Sequence, residues 1–350
     1  MSAGVILNGG KVTIDAAYLF QNGNIYASGM RGGNVTMNVG GMTMGSNSYI
    51  DARSTQADMH MPGGSVAINS TGQVNIQKGA KIDVSGATFE RNPVTGQGYI
   101  PGNFSNILIS GNAVNMDGVL IANQARTIYS DYQRPTSWQK DLGGGIRLVA
   151  TNGDVTIGPD AIIQADAVEN NDNGRTIVVT ASNDINQNGL VLSQGGDGTK
   201  VLGVYDFTVY PMPLWGGKGG TISFNAGHDI NQTGRMVTDG GKAGAGYWGS
   251  DAGNMTFTAT NKILNNGVIR SMGGNANTET ATTSFAGLFN PDDFHGGAGG
   301  NISFVNANPS GTGVVVTYGG QGTPNGALGT ITAPNPASST NTLIGIWKKQ

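Results

Sequence analysis

The sequence predicts an all-β chain folded as a parallel β-helix of about nine rungs, with loop insertions on one side. Three observations predict it. Glycine makes up 59 of 350 residues, while 12% of residues are charged and 37% hydrophobic. That composition suits short strands and tight turns, and it is too apolar for a charged disordered chain. Apolar and polar residues alternate in short runs such as "VTI", "ISF" and "VNI", the period of strands with one buried face. Finally, windows of roughly 22 residues repeat one spacing while sharing few letters.

The clearest windows begin at Arg175, Gly220 and Gly253. Ile177, Ile222 and Met255 take one place in the repeat; Val179, Phe224 and Phe257 the next apolar place; Ala181, Ala226 and Ala259 a third. Ile185, Ile230 and Ile263 follow, then Gly189, Gly234 and Gly267, then Val191, Met236 and Ile269. A glycine pair closes each window. Looser copies run from Gly64 to Gly86 and from Gly144 to Ala165. The second of these places Ile162 and Gln164 where apolar inward residues are expected. Further copies begin near Gly10, Gly33, Asn106 and Gly300.

Strands of three to five residues are too short to be stable as isolated hairpins. Three of them per window, separated by Gly and Asn corners, describe one coil of a solenoid. Stacking coils about 4.8 Å apart pairs the backbone groups each coil leaves open. Inward positions then need only an apolar side chain that fits, and corner glycines are expected to turn through positive φ. Spacing is constrained while identity is not. Residues 1–320 read as the repeat domain. Residues 321–350, where prolines break the pattern, read as a C-terminal extension, cap or inter-subunit segment.

The segments between windows vary in length but leave from one place in the repeat, so they should emerge from one corner of the rod. They hold most of the aromatics: Tyr129, Trp138, Tyr210, Trp215, Tyr247, Trp248, Phe289 and Phe294. Two readings of these residues stand. They cover the rod as satellite cores, or they form a contact strip for a sugar or a protein partner.

Constellations for chemistry are sparse. His60, His228 and His295 lie on different rungs without metal-site spacing. "GHDIN" at 227–231 sits at a repeat corner and reads as a turn, although Asp184 and Asp229 share a repeat place that Lys262 takes in the next window. Asp292 and Asp293 beside His295 form a lone acidic pair, and "GGDGTK" lacks the tandem copies of a calcium repeat. There is no phosphate loop and no nucleophile elbow. No metal, cofactor or catalytic residue is assigned. A net charge of −3 with no basic stripe argues against nucleic acid, and no run of about 18 apolar residues suggests a membrane span. Cysteine is absent. The chain opens directly in the repeat with no signal-peptide pattern, as expected of an excised or processed segment.

"GGNVTM", "GGSVAINSTGQVNIQKGAKIDVSGA" and "GGNISF" resemble the repeats of filamentous-haemagglutinin-like bacterial exoproteins, many of them exported by two-partner secretion. The resemblance spans most of Gly9–Tyr318, without the N-P-N-G motif of the secretion domain. It implies a right-handed β-helix at the cell surface, as a stalk, adhesin or matrix component. The expected role is therefore a non-enzymatic extracellular rod, self-assembling head-to-tail or laterally. The alternatives are a polysaccharide-binding module and a β-helix polysaccharide lyase or hydrolase. An enzyme would need clustered carboxylates at matching repeat places, which the spacing does not reveal.

Overall fold

In the computed structural model every described strand inside a sheet pairs in parallel with the strand one coil above and one coil below, and the result is a parallel β-helix. The structure describes residues 5–6, 9–29, 32–55, 63–86, 106–123, 144–167, 173–198, 216–244, 248–277, 294–335 and 338–349. Two sheets contain 11 strands each and the third contains 9. Each coil runs from a long strand, such as Thr221–Ala226, through a short strand of the third sheet, Asp229–Gln232, to a short strand of the second sheet, Arg235–Val237. The long strands reach six residues, one more than the alternation predicts. No helix among the described residues is long and apolar enough to cross a membrane.

Register follows the predicted repeat. Ile177 pairs with Ile222 and Ile222 with Met255; Val191 pairs with Met236 and Met236 with Ile269. These side chains are buried in one continuous core. Phe224, Phe257 and Phe304 follow one another on the inner face of the long-strand sheet, the first two rings edge-to-face at 5.9 Å and the last two stacked at 5.3 Å between centroids. The described strands beyond residue 320 continue the stack. Thr330–Ala333 pairs with Ile302–Val305, Thr342–Ile344 with Val314–Val316, and Ile346–Lys349 with Thr330–Ala333.

Two expectations are corrected. The loose window at Gly144 is offset by one residue. Ile163 is fully buried and lies over Leu120 and under Val191, while Ile162 and Gln164 face outward. A one-residue shift exchanges the faces of a strand. Most corner glycines do not turn through positive φ either. Among the described glycines only Gly9, Gly79, Gly145 and Gly311 do so. Glycine is needed elsewhere for close approach: a Cβ on Gly234 or Gly267 would overlap the carbonyl oxygen of the glycine one coil away.

The insertions leave from a single corner, through a neck of constant construction. There the returning N–H donates to the outgoing carbonyl: Gly64 to Ala52 (2.9 Å), Arg175 to Ala165 (2.8 Å), Gly220 to Ser193 (2.8 Å), Gly253 to Thr238 (2.7 Å), Gly300 to Ser271 (3.2 Å) and Gly329 to Thr317 (3.2 Å). Buried hydroxyls lock it: Ser271 Oγ and Thr317 Oγ1 donate to the carbonyls of Gly253 and Gly300, both at 2.5 Å. With the neck closed in this way, insert length is free to vary without disturbing the coil.

Beyond the neck the later inserts form a second structure that hydrophobic periodicity does not announce. Its hydrogen bonds repeat every three residues. In one outgoing chain Gly240 and Ala243 donate to Met272 and Asn275 of the next outgoing chain (2.8 and 2.9 Å), whereas Gly241 donates to Gly217 of a returning chain (2.8 Å). Lys242, on the third face, donates to the Asp197 carboxylate (2.8 Å). Returning chains do the same: Gly249 and Ala252 donate to His295 and Ala298 (3.2 and 2.9 Å), and Ser250 crosses to Gly241 (3.2 Å). A period of three with every bond made to a neighbouring chain is the pattern expected of polyproline-II-like chains packed side by side. Outgoing and returning chains interleave, and cross-layer bonds link Gly196, Gly217, Gly241, Ser250, Gly274, Gly297, Gly320 and Gly326 without a gap. The result is a glycine-rich double layer standing on one corner of the rod.

On its outer faces, Asp and Asn side chains substitute for backbone acceptors. Asp239 accepts the N–H of Met272 (3.0 Å), Asn275 that of Gln321 (2.9 Å) and Asp251 that of Ala298 (2.9 Å). Nearer the neck, Asp166 accepts the N–H of Gln194 (2.7 Å) and the amide of Gln164 (2.8 Å). Burial nevertheless raises its carboxyl pKa above the ordinary range. A folded-state pKa above the unfolded one means the charged form costs stability once pH exceeds the folded value, and costs none below about pH 4, where the carboxyl is protonated in both states. Asp166→Asn keeps an acceptor for Gln194, and Gln164 can turn its amide to suit. The variant is expected to melt at a higher temperature than the parent at pH 7, with the gain shrinking as pH falls towards 4 in a thermal-melt series.

Candidate functional site

Of the aromatic residues picked out in the inserts, Trp248 and Phe294 are described; Tyr129, Trp138, Tyr210, Trp215, Tyr247 and Phe289 lie outside the described residues. Trp248 begins the described returning chain of its insert, at the edge of the double layer. The bond from Gly249 to the carbonyl of His295 sets residue 248 beside residue 295. Their rings stack, with centroids 5.7 Å apart and planes 14° apart. His295 Nδ1 lies 3.3 Å from the carbonyl of Gly296, which assigns its proton to that nitrogen. The next insert joins the same edge, with Thr323 donating to the carbonyl of Phe294 (2.6 Å) and Gly296 to that of Pro324 (3.1 Å). Trp248 and Phe294 are half-buried and His295 is exposed. The Trp248 ring is therefore covered by His295 and still half-exposed. His295 was not foreseen as the partner of Trp248, because the two meet only through the double layer.

Stacking also brings together titratable groups that sequence separation hides. Besides Asp184 and Asp229, whose shared repeat place the sequence shows, a second pair of carboxylates is in register: Asp51 lies directly over Asp83 in the second sheet, and both are only 4% exposed. Arg53 grips Asp51 with Nε and Nη2, each at 2.9 Å, and its Nε reaches Asp83 at 4.0 Å. Lys81 binds Asp83 at 3.1 Å, and its ammonium lies 5.2 Å from the centre of the Tyr49 ring. Burial works against the Asp51 charge, but the hydrogen bonds from Arg53 outweigh it and hold the carboxyl below the usual range. Burial, then the charges of Asp51 and Asp83, raise the Tyr49 phenol, which stays protonated at neutral pH. This is a closed ion network with each charge matched.

The second group sits where the long strands turn into the third sheet. "GHDIN" is a corner, as its spacing predicts, but the coil below places Asp184 under His228. Nδ1 lies 3.1 Å from Asp184 Oδ1 and 3.6 Å from Asp229 Oδ1, and potential ligand atoms of the three residues fall within 4.8 Å of one another. The same carboxylates already cap backbone. Asp154 accepts the N–H of Asp184 (3.0 Å), and Asp184 that of Asp229 (2.9 Å). Asp229 is held by Asn261 (2.8 Å) and Lys262 (3.6 Å). The column is an aspartate ladder closed by a lysine, and a cation would have to displace Lys262 to gain Asp229. The shared repeat place of Asp184 and Asp229 was the available signal for it.

No family model matches this chain, and no curated protein or solved structure matches it either. What it does must be read from its own surfaces.

Proposed function

We propose that the chain is a non-enzymatic structural and adhesive rod of the bacterial cell surface, working through contacts along its length. The observation that carries this reading is the double layer. Long stretches of chain serve to hold one edge, with its Trp248–His295 stack, away from the core on a backbone-bonded support. A rigid support under exposed aromatic area is what an interface needs, since the partner then orders little on binding. The registered carboxylates fit the same reading, because they are engaged by Arg53, Lys81, Lys262 and backbone N–H groups. The likeness of the repeats to filamentous-haemagglutinin-like exoproteins supports a secreted, surface location. The partners proposed are further copies of the chain, meeting laterally or head-to-tail, and surface or matrix polysaccharide.

Negative-stain electron microscopy across a concentration series tests this. Filaments or lateral bundles appearing as concentration rises are the expected result. Single rods of roughly 40–50 Å, the length set by strand spacing, persisting at the highest concentration would remove self-assembly. Release of reducing or unsaturated ends from an acidic glycan would overturn the non-enzymatic reading.

A further inference from the structure

The corner opposite in character to the glycine layer is the one between the long strands and the third sheet. Its outward residues form two columns, one on each side of the corner, and the only charge in either is Asp15 at one end of the long-strand column, where it accepts from Asn38 Nδ2 at 2.8 Å. On the third sheet, Thr43, Asn75, Asn115 and Thr156 lie one above another, and Asn186 and Asn231 continue the column. On the long-strand sheet Asn38, Asn69 and Ser110 are stacked in the same coils. Each column floors an open cleft, of about 460 Å³ on the third sheet and about 430 Å³ on the long-strand sheet.

The amides are ordered by one another. Asn115 Nδ2 donates to Asn75 Oδ1 at 2.9 Å, and Asn69 Nδ2 to Asn38 Oδ1 at 3.0 Å. A carboxamide has two N–H donors and two acceptor lone pairs, so each bond fixes an amide and still leaves it able to donate and accept outward. At one end of the third-sheet column stand Tyr18 and Phe20, 61% and 56% exposed. Tyr18 is held in place. Its hydroxyl bonds Thr43 Oγ1 at 2.8 Å, and its ring lies so close over Gly41 that a Cβ there would come within 3.0 Å.

We infer that this corner binds a neutral polysaccharide laid along the rod axis, its hydroxyls on the asparagine columns and a sugar ring against Tyr18 or Phe20. Fixed amides repeating at the rung spacing of about 4.8 Å suit a polymer of hydroxyl groups that both donate and accept. Aromatic faces suit the apolar face of a sugar. Charge selects against an acidic chain. At the third-sheet cleft Lys78 is paired with Asp160 at 3.0 Å, and Asp117 accepts the N–H of Asp160 at 3.1 Å, so the local balance is negative. The inference rests on the contact reading above but concerns a different face from the Trp248 edge.

Affinity electrophoresis of the full chain through gels containing mixed-linkage β-glucan, mannan or polygalacturonate tests it. Retardation by at least one neutral polymer and none by polygalacturonate is expected. Tyr18→Ala/Phe20→Ala and Asn75→Ala/Asn115→Ala should each weaken that retardation about tenfold, while Trp248→Ala should not. Phe20→Ser alone, at an exposed position, serves as a variant that folds whatever the others do, and melting curves confirm folding for each. Absence of retardation by every neutral polymer, retardation by polygalacturonate instead, or unchanged retardation of folded variants would overturn the site. Filament formation in the microscope would survive any of those results, so failure of this site and failure of the rod reading are distinguishable.

Discussion

Gly274→Val is expected to open the glycine double layer while leaving the β-helix beneath it folded. Gly274 donates to the carbonyl of Ser250 at 2.7 Å and accepts from Gly297 at 2.9 Å. A Cβ at this position would overlap the carbonyl group of Gly241. The obstruction is backbone, so no rotamer change relieves it, and the layers must separate. Overpacking that moves backbone costs 1–3 kcal/mol and more in severe cases, and each cross-layer bond lost adds roughly 1 kcal/mol. A local loss of about 3–5 kcal/mol follows, enough to open a peripheral unit. Hydrogen exchange should accelerate across 240–243, 249–252 and 296–299 but not across Thr221–Ala226 or Asn254–Ala259. Tryptophan fluorescence should shift as Trp248 leaves His295. Lys242→Val, in the adjacent outgoing chain but on the exposed outer face of the layer, should change neither. Equal exchange in parent and Gly274→Val would mean that the layers do not depend on glycine at their contact.

What could be read from sequence and what could not divides along a physical line. Inward residues declare themselves, because the pleat imposes a period of two and the coil imposes a fixed spacing. Ile177, Ile222 and Met255 were therefore legible as one column with no shared letter. Ile163 was misplaced because the turn between Ala150 and Val155 holds four residues where its counterpart between Ser70 and Val74 holds three, and a short apolar run such as Ile162–Ile163 does not say which residue points inward. The glycine pairs were legible as corners, but their reason was not. Polyproline II has no apolar face, so its only trace is glycine at both ends of each insert, in "GGKAG" and "GSDAG" or "GGNAN" and "GGAGG". The polar sites were hidden by the same stacking that makes the fold readable. Asp51 meets Asp83, Asp184 meets His228 and Asn75 meets Asn115 across whole coils, and only an alignment of every rung at its true register would have shown them. Buried Gln187 and Gln232 were equally silent. They lie fully inside the coil because each donates to a glycine carbonyl two residues on, at 2.7 Å in both cases.

Phe257→Ala is expected to produce the largest global loss of stability among core substitutions at this level of the stack. Phe257 is fully buried between Phe224 and Phe304, all three at the same inward place of the long strands. Truncation removes its own buried area and also strips one face from each neighbour. Neither neighbour can collapse into the space, since rung spacing is held by the parallel pairing of the strands on which they sit. Phe→Ala in a core costs about 3–5 kcal/mol, with the upper end reached where the cavity stays open, and the rigid stack favours that end. Phe257→Leu, which keeps most of the volume, should cost about 1.5 kcal/mol or less. The shape of the transition should change as well. In a solenoid, stability is close to a sum of rung terms and nearest-neighbour terms, so a weak interface inside the stack uncouples the rungs on its two sides. Chemical denaturation followed by far-UV circular dichroism is expected to show a lower midpoint and a shallower or split transition for Phe257→Ala, and a simple shift for Phe257→Leu. Phe20→Ala is the contrasting aromatic: on the outer face it should leave the curve unmoved. If Phe257→Ala and Phe20→Ala melted alike, the inward assignment of the phenylalanine column would be wrong, and with it the register on which every site described above depends.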